Sequence, residues 1–298
     1  MPSREFIEFQ KRAAAAPAAD PPDTIEAVRA QIDATLGVQP LAEGVEAESV
    51  EVGGVPAIWL RPIGSDAAPI LCYFHGGGYR MGSATAWRAY ASHLSRACRA
   101  RVLLVDYRLA PEHPFPAAVE DALATYAGLI QAGEPPARIV LAGDSAGGGL
   151  AAAALLGASH RGITLPAGLV CLSPWTDLTN RARSFETHAQ SDHLFSLEQA
   201  ETAASLYLAG HDPTDPLASP VRGDWQGLPP ALIQVGDVEV LLDDAHDLAA
   251  KARAAAVDVQ LSVYPGMPHV WQMNYPAFPE AVQAVEEIAS FVAEVAGG

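Results

Sequence analysis

Gly143-Asp144-Ser145-Ala146-Gly147 is a G-x-S-x-G element set between two contrasting stretches. Ala137 to Leu141 is a β-branched run suited to a buried strand, and Gly147 to Leu156 holds the small residues and leucines of a packed helix. A serine on a sharp turn between strand and helix exposes its Oγ at the end of a sheet, and the flanking glycines let other backbone pass close by. The backbone N–H of Ala146, at the helix N-terminus, then faces any negative charge developing on an oxygen in front of Ser145. The chemistry this predicts is nucleophilic attack on an acyl carbon.

Such a serine needs a base, an acid behind the base and a hole for the oxyanion. His75-Gly76-Gly77-Gly78-Tyr79 ends an apolar run, and its three glycines direct backbone N–H groups into a cleft with no side chains in the way. No G-x-x-x-x-G-K-[ST] or G-x-G-x-x-G follows, so the loop is not read as a phosphate cradle. His75 itself is expected to hold the loop in shape. Of the nine histidines, His93 and His246 fall in helical runs, and His160, His188, His193 and His211 fall in loops or in an insertion. His269 stands apart, in a Pro- and Gly-rich loop straight after the last strand and after the serine in chain order, which is the order that accompanies a nucleophile elbow. The acid belongs after the strand Ala231 to Val235. There Gly236-Asp237-Val238-Glu239-Val240-Leu241-Leu242-Asp243-Asp244 offers four carboxylates. Asp243 and Asp244 are expected to cap the next helix, whose first turn favours negative charge. Spacing leaves Asp237 and Glu239 as equal candidates. His188, Asp192 and His193 are too loosely spaced to predict a metal site.

The elements that must position these groups follow from hydrophobic pattern. Val45 to Val52 and Val55 to Arg61 flank Gly53-Gly54 and predict a hairpin. Further strands are predicted over 69–74, 101–107, 168–172, 231–235 and 259–264. Helices are predicted over about 85–99, 117–131, 197–208, 241–256 and 276–296. This alternation predicts a mostly parallel eight-stranded sheet with helices on both faces and an antiparallel hairpin at one edge, its site at the carboxyl ends of the strands. Residues 175–226 break the alternation and read as an insertion over the sheet, in which Trp175, Phe185, Phe195, Leu206 and Tyr207 are pocket candidates by location. Residues 1–44 carry two short helical patterns, with Asp23 or Thr24 as cap of the second. Their apolar members Phe6, Ile7, Phe9, Ile25, Val28 and Ile32 are expected to dock.

Composition sets the outer limits. The chain has 298 residues, half of them hydrophobic and 18% charged, enough to bury a large core. A net charge of −17 argues against nucleic acid or an anionic membrane as partner. Three separated cysteines, Cys72, Cys98 and Cys171, make a poor disulfide framework, and the first residues hold no apolar run long enough for a signal peptide or membrane span. A cytoplasmic location is expected.

Together, HGGGY at 75–79, DYRLAPEHPFPA at 106–117, GDSAGG at 143–148, DPLASP at 215–220 and MPH at 267–269 resemble the hormone-sensitive-lipase-like carboxylesterases, the bacterial family IV esterases of the α/β-hydrolase fold. The resemblance covers about residues 69 to 275. It implies a nucleophile at Ser145, a base at His269 and oxyanion donors at Gly77, Gly78 and Ala146. The family's acid, usually the first Asp of a D-P-L-x-D-E run, falls on Glu239, which departs from the pattern by Glu for Asp and Val240 for Pro. The gap of 269 − 239 = 30 residues holds one helix and one strand. The resemblance further implies a cap formed by residues 1–44 and 175–226 over a catalytic domain of residues 45–174 and 227–298. It also implies no cofactor, a small ester as substrate, and a homodimer through the edge of strand 259–264. The function expected is hydrolysis of short- to medium-chain carboxylic esters through an acyl-enzyme on Ser145. An amidase or lactonase with the same triad, or a non-catalytic small-molecule receptor on the same scaffold, are the alternatives.

Overall fold

The computed structural model describes residues 1–15, 22, 24–65 and 67–297. Two helices lead, α1 (Arg4–Ala15) and α2 (Ile25–Leu36). Thr24 caps α2 by accepting from Ala27 N at 3.2 Å, while the other expected cap, Asp23, lies outside the described residues. The hairpin β1 (Val45–Val52) and β2 (Val55–Pro62) turns on Gly53 and Gly54, both at positive φ. There follow β3 (Ile70–Phe74), α3 (Ala84–Cys98), β4 (Arg101–Val105), α4 (Ala117–Gln131), β5 (Ile139–Asp144), α5 (Ala146–His160) and β6 (Gly168–Leu172). Then come the short α6 (Ser184–Thr187), α7 (Leu197–Leu208), β7 (Ala231–Gly236), α8 (Leu242–Ala254), β8 (Val259–Tyr264) and α9 (Pro279–Ala296).

The eight strands form one sheet in the order β1-β2-β4-β3-β5-β6-β7-β8, with β2 antiparallel to both neighbours and every later pair parallel. The period-2 geometry of a strand divides the core cleanly between two faces. Ile70, Cys72 and Phe74 of β3 and Leu103 and Val105 of β4 pack with α4, α5 and α8, whereas Leu71, Tyr73, Val102 and Leu104 pack with α3 and α9. Both faces are covered, so β3 to β7 read as continuous apolar runs rather than alternating ones. Cys72, Cys98 and Cys171 are buried free thiols, and burial pushes Cys98 up to about 12. They serve as small core residues.

Three boundaries depart from expectation. The strand expected over 137–141 begins at Ile139, because Pro136–Arg138 forms a 3-10 turn. The strand expected to run to Tyr107 ends at Val105, since Asp106 turns to accept Ala84 N at 2.8 Å and caps the opening of α3. The closing helix starts at Pro279 rather than Pro276. A 3-10 turn over Trp271–Asn274 intervenes, and Pro279, with no N–H to lose, takes the first turn of α9.

The leading helices dock on different parts of the molecule. Phe6 of α1 is buried with Met267, Trp271 and Phe278, and Phe9 lies 5.3 Å from Phe278, so α1 packs on α9 and behind the loop carrying His269. Ile7 faces solvent. Helix α2 packs on α3, and its Arg29 holds the carbonyls of Arg80 and Ala110 and the carboxylate of Glu112. Among the described residues no helix is long and apolar enough to cross a membrane.

Candidate active site

Ser145 sits between β5 and α5 at φ 53, ψ −121, a conformation disfavoured for any L side chain. The surrounding hydrogen bonds impose it: Ser145 N donates to Leu172 O at 2.8 Å, and Ser145 O accepts from Gly148, Gly149 and Trp175. A Cβ at position 147 would collide with the Phe74 carbonyl, so only glycine lets α5 leave the sheet at this angle. The turn points Oγ into a cavity of about 410 Å³ whose wall includes Gly77, Gly78, Leu194, Phe195 and His269.

His269 Nε2 lies 2.9 Å from Ser145 Oγ, and its Nδ1 lies 2.7 Å from Glu239 Oε2. The two carboxylates left open by spacing are therefore separated by their contacts. Glu239 is fully buried, and its other oxygen accepts from Gly236 N at 2.6 Å and Ser173 Oγ at 2.8 Å. Asp237 instead accepts Gly266 N, two residues past the end of β8, and so ties down the start of the His269 loop. Burial opposes charge on the imidazole of His269. The hydrogen bond and charge of Glu239 outweigh it, helped by the charges of Asp192 and Asp144, so its pKa lies above the ordinary 6.5.

The glycine loop faces Ser145 from the end of β3. Gly77 and Gly78 have φ of 115 and 62, and a Cβ on Gly77 would strike the Met81 carbonyl. The N–H groups of Gly77, Gly78 and Ala146 donate to no acceptor among the described residues, the condition for an anion hole. His75 is buried against Tyr107 at 4.4 Å and Trp87 at 5.4 Å, with Nδ1 2.8 Å from Gly76 O. It holds the loop, as expected. Asp144, beside the serine, accepts from Tyr73 Oη and Trp87 Nε1, and burial pushes its carboxyl up to about 6 against those bonds.

Several supporting residues carried no sequence signal for the role they take. Ser173, at φ 45 just past β6, donates to Glu239 and accepts Val270 N at 3.1 Å, joining the acid to the loop of the base. Its only clue was position at a strand's carboxyl end. Asp192 accepts Leu194 N and Phe195 N through one oxygen and Val240 N through the other, and Ser184 Oγ donates to Val240 O. The insertion is thus clasped to the turn that carries Glu239. Of its five pocket candidates only Phe195 lines the cavity, its ring stacked 5.7 Å from the His269 ring. Trp175, Phe185 and Tyr207 are core residues, the last stacked on Tyr79 at 3.9 Å. From residues 1–44, Ile32 of α2 reaches the cavity.

Asp243 and Asp244 do not cap α8, contrary to expectation; its N-cap, Leu241, makes no side-chain bond. Asp243 accepts Ser184 N, and Asp244 accepts Thr176 N and Asp177 N, because the insertion brings unpaired N–H groups to them. Burial, aided by the charge of Asp177, raises Asp244 to about 7 against the pull of those N–H bonds. Its folded-state pKa exceeds the unfolded value of about 3.9, so the stabilisation from its proton is complete below about pH 4 and disappears as pH rises through about 7. The unfolding free energy of the wild type relative to Asp244→Asn is therefore expected to fall by on the order of a few kcal/mol between pH 4 and pH 8. Urea unfolding at both pH values measures it, and a constant difference would refute the assignment.

Among known proteins, the family described as alpha/beta hydrolase fold matches residues 71–273. The chain is 45% identical to an acetyl-hydrolase of Streptomyces hygroscopicus over 262 residues, 88% of this chain and 85% of that one. It is 36% identical to an esterase of Acinetobacter venetianus, across 89% and 88% of the two chains. A crystal structure of an esterase from the bacterial hormone-sensitive lipase family superposes with a TM-score of 0.92 at 45% identity, over 99% of each chain. The structure of a second protein, EstE5, soaked with p-nitrophenyl butyrate, superposes with a TM-score of 0.92 at 39% identity, over 99% of this chain and 100% of that one.

Proposed function

Because this chain belongs to the bacterial hormone-sensitive-lipase family of α/β-hydrolase-fold esterases, and is a carboxylic ester hydrolase, we propose that it cleaves short- to medium-chain esters through an acyl-enzyme on Ser145. The observation that carries the reading is the unbroken relay of 2.9 and 2.7 Å from Ser145 Oγ through His269 to Glu239. His269 Nε2 takes the hydroxyl proton as Oγ attacks the carbonyl carbon. The oxyanion is received by the N–H groups of Gly77, Gly78 and Ala146, and Glu239 orients the imidazole and balances its charge. The alkoxide leaves with the proton from His269, and water then repeats the attack on the acyl-Ser145. Hydrolase relatives and the relay support turnover over a receptor role.

The cavity of about 410 Å³ suits a small ligand, and Ile32, Met81, Leu194, Phe195 and Val270 give it an apolar wall for an acyl chain. The cap role is assigned to α2 and residues 175–226; α1, seated on α9, supports the His269 loop from behind. A dimer is proposed through β8, an edge strand that among the described residues pairs with β7 alone.

The test is a profile of kcat/KM across 4-nitrophenyl esters from acetate to laurate, with rapid mixing to detect a burst. A maximum between C2 and C8 and a burst equal to the enzyme concentration are expected; a steady rise to C12 or the absence of acylation would overturn the proposal. Phe195→Ala, which opens the wall beside His269, is expected to move the maximum to longer chains.

A further inference from the structure

The cleft wall holds a cation that has no partner among the described residues. Arg80 follows the glycine loop directly and lines the cavity of Ser145 together with an adjoining hollow of about 400 Å³. Its Nε is buried, and no acceptor among the described residues takes a hydrogen bond from it. Its neighbour Arg29 differs sharply: that guanidinium is spent on two carbonyls and on both oxygens of Glu112. One of those carbonyls is that of Arg80 itself, accepting from Arg29 Nε at 2.8 Å, so the backbone under the free cation is held in place. Arg80 N and Met81 N both donate to Gly77 O, which couples the arginine to the loop that faces the serine.

The remaining polar groups of the wall do not satisfy it. Asp192 has both oxygens committed to backbone N–H groups. Glu198, exposed on the first turn of α7, shares the hollow with Arg80 but makes no ion pair with it, and His193, Gln199 and Thr202 bring no negative charge. Burial lowers the pKa of the Arg80 guanidinium from its ordinary value, and no nearby carboxylate acts to restore it.

We propose that Arg80 is a specificity residue that receives an anionic oxygen group of the substrate, a carboxylate or phosphate carried away from the scissile ester, at the junction of the two hollows. The Nη donors of the guanidinium, which make no hydrogen bond among the described residues, fit such a group, and in a partly desolvated cleft the bond is stronger than on an open surface. A site that offers an unsatisfied donor disfavours a purely aliphatic ligand of the same size, because that donor then stays unpaired. This inference rests on the esterase reading of the Ser145 site.

Two matched substrate pairs separate the acyl side from the alcohol side. The first is the mono-4-nitrophenyl ester of adipic acid against 4-nitrophenyl heptanoate, and the second is 4-acetoxybenzoate against 4-methylphenyl acetate. The readout is the ratio of kcat/KM, charged over neutral, for wild type, Arg80→Gln and Arg80→Lys. In one pair the ratio is expected to fall by about tenfold or more in Arg80→Gln, mainly through KM, and to be partly retained in Arg80→Lys. Ratios unchanged by both substitutions in both pairs would overturn the role of Arg80 while leaving the esterase intact. Failure of the wild type to turn over all four esters would instead remove the esterase reading, and this inference with it.

Discussion

Replacing Ser145 by alanine lowers kcat for 4-nitrophenyl butyrate by about 10⁴- to 10⁶-fold, the loss expected when the nucleophile is removed from a triad that acts as a unit. The fold survives, because among the described residues the hydroxyl bonds only to His269 while the elbow is held through backbone atoms: Leu172 O, Gly148 N, Gly149 N and Trp175 N. The far-ultraviolet circular dichroism spectrum and the urea midpoint of Ser145→Ala are therefore expected to match the wild type. Ser145→Gly should be equally inactive and no less stable than the alanine variant, since it removes the Cβ from a residue held at φ 53. Wild-type rates in folded Ser145→Ala, or full acylation of that variant by an ester, would refute the nucleophile.

Glu239→Gln is expected to lower kcat by about 10³- to 10⁴-fold, because the amide leaves the imidazole without a charged acceptor and favours the wrong tautomer. The pH profile gives a second readout. The base must be neutral to accept the serine proton, so kcat/KM rises as pH climbs through the pKa of His269. In the wild type that rise is centred above the ordinary imidazole value, because Glu239 outweighs the effect of burial. With Gln at 239 the burial remains and the largest raising influence is gone, so the rise moves to lower pH. Asp237→Asn is the control that separates the two carboxylates. Asp237 touches Gly266 N and neither His269 nor Ser145, so its replacement is expected to lower activity far less and to leave the rise in place. The reverse result, with Asp237→Asn crippled and Glu239→Gln nearly intact, would assign the acid to the wrong residue.

How much could be read in advance depended on whether the interacting residues were neighbours in the chain. The elbow and the glycine loop were legible because each is a contiguous device: three or four small residues admit a turn that other residues exclude. His269 was legible through position, as a histidine straight after the last parallel strand. The acid was not, because Asp237 and Glu239 leave the same strand end two residues apart. Only the turn from β7 into α8 aims one at the imidazole and the other at the Gly266 amide. Asp243 and Asp244 depart from the local pattern for a related reason. Local pattern assigned them to the helix they begin, and partners 59 to 68 residues away along the chain, Ser184, Thr176 and Asp177, claimed them.

The amino-acid sequence by itself determined the fold class and the order of strands along the chain, and it marked the serine, the histidine and the glycine loop as site candidates, since hydrophobic period and backbone freedom are properties of consecutive residues. Tertiary structure alone decided which carboxylate meets His269, that Ser173 and Asp192 hold that carboxylate and its turn, and that Arg80 stands in the cleft without a partner among the described residues. Each of these depends on where the sheet and the insertion bring together groups that lie tens of residues apart, and a buried polar atom bonds to whichever partner the packing delivers.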